Sequence, residues 1–410
     1  MNAPASFERL RAPTVTELLA QHFGRHVVHW RAAEVLPAAG VLARWDAREA
    51  LDAVDAASID ADGRQHQGPI VPAAIDEALA HGRTVCAQCS AWPELAPLLA
   101  ELGAWVPSLL EPAFGKLYAS PPGSGFALHM DAHHVLVLQL RGRKRWRVGD
   151  AVVAAPLAGG KLEHGRAVHT FPREGDPILG DDGEPIAAPE PSSLRELVLE
   201  PGDCLYVPPG AWHGTVALED SVAVSLSPPR APALRMVLAV LEQELAMRPH
   251  WRADLVRGNA GAGAVPAAVA EALARCAREL GALVREVDEV LLQRAWGMAA
   301  VAGAIGPGAQ PRPVRRHHLL AHADGPGFVV VADPRMHEGV PGRIHVLFAG
   351  GELELPSSAQ RWLDQLAANP RFRADAVLQW DPGLQWDQAR ELLSQLLEVG
   401  LLIDLGDAGA

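Results

Sequence analysis

Tyrosine is almost missing from this chain of 410 residues: it occurs twice, at Tyr118 and Tyr206, and the aromatic residues together reach only 5%. Cysteine is nearly as scarce. The four present are too few for a disulfide framework in a chain of this size, which points to a reducing cytoplasm. The closest pair, Cys86 and Cys89, has zinc-knuckle spacing, but no second pair follows at the usual distance, so it reads as two small buried residues. No apolar run approaches the roughly eighteen residues a membrane span needs. The first thirty residues carry Glu8, Arg9, Arg11, Glu17 and Arg25 where a signal core would be apolar. A basic excess is lacking too: 36 Lys and Arg stand against 49 Asp and Glu, a net charge of −13, which disfavours direct nucleic-acid binding. No internal repeat is visible, no phosphate-binding loop or nucleophile elbow occurs, and the glycine run 258–263 lacks the strand–turn–helix setting of a nucleotide site.

What remains is the balance of a globular protein, 49% hydrophobic and 21% charged. Residues 1–110 mix short helical patterns (Thr14–Phe23, Ala73–His81, Pro93–Leu102) with strand-like fragments such as Arg25–Trp30. From Gly115 to about Pro229 the hydrophobic period falls to two: Val135–Leu138, Trp146–Val148, Leu197–Leu199, Cys204–Val207 and Val222–Leu226 are short runs bounded by Gly and Pro, the pattern of a β-sandwich or barrel. Inside this region, 155–193 is rich in Gly, Pro, Asp and Glu and reads as a long insertion or lid loop. The pattern then turns helical, with Leu234, Val237, Leu238, Leu241 and Leu245 at helical spacing and one amphipathic run over Val269–Trp296. Residues 305–313 read as a linker. Beyond them come strands at Phe328–Val331 and Ile344–Phe348 and helices at Ser358–Ala367 and Trp386–Val399.

The chemistry concentrates at His129-Met130-Asp131. Residues i and i+2 of a strand share a face, so an imidazole and a carboxylate can meet one metal ion. His213 is the candidate for the third ligand, because it follows a Pro201-Gly202-Asp203 turn, a buried run and Pro208-Pro209-Gly210, which would return it to a barrel mouth. Two histidines and one carboxylate leave open positions that suit non-haem Fe(II) and oxygen. His133 shares the ligand face by alternation and reads as lining the pocket or binding a substrate rather than as a ligand.

Residues 115–229 resemble the JmjC-type cupin domain of the ribosomal-protein hydroxylases, comprising the bacterial arginine hydroxylase and its eukaryotic histidine-hydroxylating relatives. The resemblance lies in Ser120-Pro121-Pro122-Gly123, His129-Met130-Asp131, Val135–Gln139, Arg143–Gly149 and Leu199–His213. It implies an α+β protein built on a double-stranded β-helix core, with a helical dimerisation region and a winged-helix-like C-terminal domain. The layout expected is 1–110 as a mixed α/β part of the catalytic unit, 111–229 as the core, 230–305 as the dimerisation region and 314–410 as the winged-helix-like domain. It implies an Fe(II)- and 2-oxoglutarate-dependent oxygenase using O2, acting on a side chain of a polypeptide such as a ribosomal protein.

In the resembling family a Lys or Arg at the position of Lys144 meets the distal carboxylate of 2-oxoglutarate. Alternation agrees, since it groups Arg143, Arg145 and Arg147 on one face and turns Lys144 inward with Trp146 and Val148. Tyr118, Ser120 and Ser225 are the further expected cosubstrate contacts. Ala223 departs from the Asn of the bacterial arginine hydroxylase, and Ser124-Gly125 replaces a Gln-Gly pair common in the eukaryotic branch. The Ala223 departure leaves room for an alternative, an oxygenase tailoring a ribosomally made precursor peptide. A different class, a non-catalytic metal-binding cupin, is disfavoured by the open three-ligand pattern, since a closed structural site should show a fourth protein ligand.

Overall fold

The computed structural model describes residues 7, 10, 15–32, 38–49, 51, 54–59, 65–106, 112–151, 153, 155–163, 165–170, 175–180, 182–230, 233–255, 265–301, 314–322, 328–337, 340–348, 351–381 and 383–407. The chain divides into two compact units, one of residues 1–106 and 111–230, the other of 107–110 and 231–410.

In the first unit, α1 (Val15–Glu17), β1 (Val28–Trp30), α2 (Ala38–Asp46), β2 (Val54–Ile59), β3 (Gln65–Ile70), α3 (Ile75–Ala80), β4 (Thr84–Gln88) and α4 (Ala96–Trp105) precede the strand-rich part. That part holds β5 (Phe114–Ser120), β6 (Gly125–Met130), β7 (Val135–Arg141), β8 (Lys144–Ala151), β9 (Gly160–Glu163), β10 (Arg166–His169), β11 (Arg195–Leu199), β12 (Cys204–Val207), β13 (Ala211–Ala217) and β14 (Ser221–Ser227). Among the described residues these form an eight-stranded sheet, β1-β12-β7-β14-β5-β4-β2-β3, and a six-stranded sheet, β10-β9-β6-β13-β8-β11.

The unbroken apolar run at β7 follows from its place between β12 and β14, where both faces are covered. Leu136, Leu138 and Leu140 face outward into a core with Trp30, Trp45 and Trp92. Val135 and Val137 face the other way, joining Trp146, Val148, Leu205 and Val207 between the two sheets. Period two thus sorts one strand into two cores. The six-stranded sheet is covered on its outer face by the segment 155–193. That segment is not the bare loop its composition suggests: it contributes β9 and β10, and its Ala167 and Ile178 bury Met130 and Trp212 to 1% exposure each. The β9–β10 hairpin and its pairing with the distant β6 organised this stretch, a force that its weak periodicity did not reveal.

The second unit contains α5 (Ala233–Ala246), α6 (Ala267–Glu286), α7 (Glu289–Val301), β15 (His318–His322), β16 (Phe328–His337), β17 (Val340–Phe348), β18 (Gly351–Pro356), α8 (Gln360–Ala368), β19 (Arg371–Arg373), α9 (Val377–Trp380), α10 (Trp386–Glu398) and β20 (Leu402–Asp407). The amphipathic run expected over Val269–Trp296 is two helices. The chain extends at Val287, and the Asp288 carboxylate then accepts the Leu291 N–H at 2.9 Å, an N-cap that restarts the helix. The tail holds more strands than its two apolar runs suggest, in two three-stranded sheets, β19-β15-β20 and β16-β17-β18. The linker at 305–313 and the glycine run 258–263 lie outside the described residues. Among the described residues no helix is long and apolar enough to cross a membrane.

Candidate metal centre

His129 and His213 stand directly opposite each other where β6 and β13 pair antiparallel. Cross-strand partners project to the same face, so the imidazoles converge with ring centroids 4.2 Å apart. Asp131 follows the end of β6, and its Oδ2 lies 3.6 Å from His213 Nε2. The ligand atoms of all three residues fall within 4.8 Å of one another. Alternation assigns the intervening side chains to the other face: Met130 and Trp212, also cross-strand partners, point into the outer core.

Backbone contacts hold the triad in position. His129 Nδ1–H donates to the Ala127 carbonyl at 2.7 Å, and His213 Nδ1–H donates to the Ala211 carbonyl at 3.0 Å. A carbonyl can only accept, so the neutral rings carry their protons on Nδ1 and present bare Nε2 lone pairs, the form a metal requires. The Gly210 N–H donates to the Asp131 carbonyl at 2.8 Å, tying the third ligand segment to the turn that launches β13. Gly210 has φ +75°, and a Cβ there would lie 2.2 Å from the Val153 carbonyl oxygen, so only glycine fits this turn.

Electrostatics suit a cation. Burial, reinforced by His213, lowers the His129 pKa to about 4, so the ring is neutral at ordinary pH. Burial works to raise the Asp131 carboxyl, but His133, His213 and His129 together hold it well below the usual carboxylate range. Asp131 keeps 28% side-chain exposure because it borders a cavity rather than the outer surface.

The triad lines a cavity of about 200 Å³ whose wall also carries Lys144, Tyr118, Ser225 and Ala223. Lys144 turns inward on β8 with Trp146 and Val148, while Arg145 and Arg147 lie on the opposite face. It is 2% exposed, and its ammonium donates to Ser120 Oγ at 2.9 Å. Among the described residues no carboxylate reaches ion-pair distance of Lys144, and burial lowers its pKa to about 8. Such an uncompensated buried cation is costly unless an anion joins it. Ser120 itself does not line the cavity; it holds Lys144 from behind and also accepts from Thr84 Oγ1 at 3.0 Å. Tyr118 packs edge-on to Phe126, with centroids 5.4 Å apart, and stands opposite Cys86 across the β4–β5 ladder. Ala223 pairs with Tyr118 across the β5–β14 ladder and adds no polar group to the wall.

Phe126 escaped the sequence reading, as did Phe114, Lys116 and Thr215. Strict alternation from His129 excludes Phe126, three positions away. A register shift resolves this: Phe126 pairs with Thr215 and His129 with His213, so three steps on β6 match two on β13. Phe114 and Lys116 needed only alternation carried back along β5 from Tyr118. His133 lines the cavity with Nε2 3.8 Å from Asp131 Oδ2. Cys86 and Cys89 are buried free thiols, and among the described residues they belong to no metal-binding group.

Residues 107–237 match the family model of the JmjC domain. The sequence is 34% identical over 131 residues to ribosomal protein uL16 3-hydroxylase of Escherichia coli (strain K12), an alignment covering 31% of this chain and 29% of that protein. It is 33% identical over 127 residues to ribosomal oxygenase 1 of Gallus gallus, covering 29% of this chain and 18% of that protein. Such alignments span less than half the length of the curated relatives. Among solved structures, YcfD, a ribosomal oxygenase from Escherichia coli in complex with cobalt and 2-oxoglutarate, aligns over 95% of this chain and 98% of that chain at 20% identity, with a TM-score of 0.45. The family match and the paired β-sheets agree: within the matched range, strands β5–β14 form a JmjC domain with the cupin-type fold.

Proposed function

We propose that this chain is an Fe(II)- and 2-oxoglutarate-dependent oxygenase that hydroxylates a side chain of a polypeptide, with a ribosomal protein as the first substrate to try. The observation that carries the reading is the cavity itself. An open two-histidine, one-carboxylate triad and a buried lysine that has no carboxylate partner among the described residues share its wall. His129, Asp131 and His213 would hold the iron through Nε2, a carboxylate oxygen and Nε2. A closed structural site would be expected to recruit a fourth protein ligand, and among the described residues only these three group together. The bound ion would supply the oxygen chemistry. This chain's own residues do the rest. Lys144, set by Ser120, would bind the distal carboxylate of 2-oxoglutarate; Tyr118 and Ser225 border the cosubstrate; and the aromatic wall of Phe114, Phe126 and Trp146 limits water. One atom of O2 would enter the substrate C–H bond and the other succinate, as 2-oxoglutarate loses CO2. The names of the relatives, a uL16 3-hydroxylase and a ribosomal oxygenase, support this substrate class.

The same proposal covers the layout 1–110, 111–229, 230–305 and 314–410, with the third part pairing two copies of the chain and the fourth acting as a winged-helix-like module. Exposed Leu234 and Leu238 on α5 and Leu273, Leu280 and Val284 on α6 support a homodimer contact. Free thiols at Cys86, Cys89, Cys204 and Cys276 support a cytoplasmic setting. Incubation with Fe(II), 2-oxoglutarate, O2 and ribosomal proteins tests the function: the expected result is succinate release and a protein mass gain of one oxygen. Absence of succinate with every added polypeptide and without one would refute it.

A further inference from the structure

The cavity holds a second cation that neither the triad nor the cosubstrate anchor employs. Lys116 and Lys144 both line it, at different places. Along β5, Phe114, Lys116 and Tyr118 face the cavity at alternate positions, and Ser120 continues the row. Lys144 is tied to the Ser120 end, whereas Lys116 lies four residues back, about 13 Å along the strand. Its neighbourhood is that of Phe114, whose ring meets the His133 ring at 5.4 Å, and His133 Nε2 is in turn 3.8 Å from Asp131. The charge of Lys116 is felt at His133. If 2-oxoglutarate runs from the metal towards Lys144, the end of the cavity at Lys116 is left for the polypeptide.

Asp131 is the sole carboxylate among the described lining residues. A divalent ion, Asp131, Lys144 and doubly charged 2-oxoglutarate cancel one another, which leaves the Lys116 charge unmatched. Among the described residues no carboxylate forms an ion pair with it. A guanidinium or ammonium brought to this wall would meet a like charge in a partly desolvated space, where repulsion is strong. We propose that Lys116 determines specificity by receiving the carboxylate of an aspartate or glutamate side chain, the residue to be hydroxylated. This rests on the oxygenase reading above.

The test uses the full chain with Fe(II), 2-oxoglutarate and O2, and peptide pools of one flanking composition that differ in a central Asp, Glu, Asn, Gln, His or Arg. Intact mass reads incorporation of one oxygen, and succinate is measured in parallel without peptide. The wild type is expected to favour the Asp or Glu pool over the Arg pool by at least about tenfold, the size of one partly desolvated ion pair. Lys116→Gln should bring that ratio towards unity, Lys116→Glu should invert it and Lys116→Arg should keep it. Because the readout is a ratio, it is independent of the amount of folded variant. No acidic preference in the wild type, including incorporation into no pool, overturns the proposal, as does an unchanged ratio in Lys116→Glu. Succinate released without peptide distinguishes this failure from failure of the oxygenase reading, which predicts no such release if it is wrong.

Discussion

The two faces of one strand pair, β6 and β13, have divided their labour completely. On the inner face His129 and His213 meet across the ladder, beside a cavity and held by the backbone carbonyls of Ala127 and Ala211. On the outer face their immediate neighbours Met130 and Trp212 are sealed beneath Ala167 and Ile178. One residue's step along the chain separates a group kept open for a ligand from a group kept closed for packing. A site on such a pair gains rigidity without spending its functional residues on stability, because the opposite face supplies the cohesion.

Substitutions can break that division. The largest expected effect belongs to the inner face: replacing His129, Asp131 or His213 by Ala should lower succinate formation by roughly a thousandfold or more, about 4 kcal/mol, with thermal unfolding little changed. Full activity in one variant would remove that residue from the ligand set. Lys144→Ala should weaken 2-oxoglutarate binding by roughly two to four decades, the cost of about 3–5 kcal/mol for stranding one partner of a buried pair, while metal affinity stays near that of the wild type. Trp212→Ala on the outer face should reverse the pattern, costing about 3–5 kcal/mol of stability through the cavity it leaves, as read by denaturant unfolding. An unfolding midpoint equal to the wild type would deny the outer face its structural role.

Smaller effects sharpen the comparison. Lys144→Met should stabilise the ligand-free protein at pH 7 by about 1–3 kcal/mol, because it removes a buried charge. The sign follows from burial: the folded pKa is about 8, below the unfolded value, so the folded chain holds fewer protons between the two values. The wild type therefore gains stability as pH rises through that window, and the Met variant does not. The 2-oxoglutarate affinity of the wild type should be level below about pH 8 and weaken by up to tenfold per unit above it. A flat affinity profile from pH 7 to 10 would place the carboxylate elsewhere.

The same two faces explain what was legible in the sequence. His129, Asp131, His213 and Lys144 were readable because alternation is the rule within strands and because the Pro-Gly turns mark where β12 and β13 begin. Phe126 was not, since the register shift at His213–Thr215 breaks alternation for a reason that lies in another strand. Ser120, read from the sequence as a cosubstrate contact, accepts from Lys144 and is not among the lining residues, because parity gives a side chain's face but not how far the cavity extends along it. In 155–193 the pairing partner β6 dictated strands that local composition did not announce. In the second unit the Asp288 cap split one amphipathic run into α6 and α7, and β15 and β18–β20 were too short or too polar to stand out.

On the proposed function, the inner face of β6 and β13, with Lys144, would hold metal and 2-oxoglutarate in one site. Titrating 2-oxoglutarate without oxygen into the Mn(II)-loaded wild type, His213→Ala and Lys144→Ala tests it most directly. Saturable binding that requires Mn(II) is expected in the wild type, with roughly hundredfold or greater weakening in each variant. Equal affinity in all three proteins, or binding indifferent to Mn(II), would contradict it.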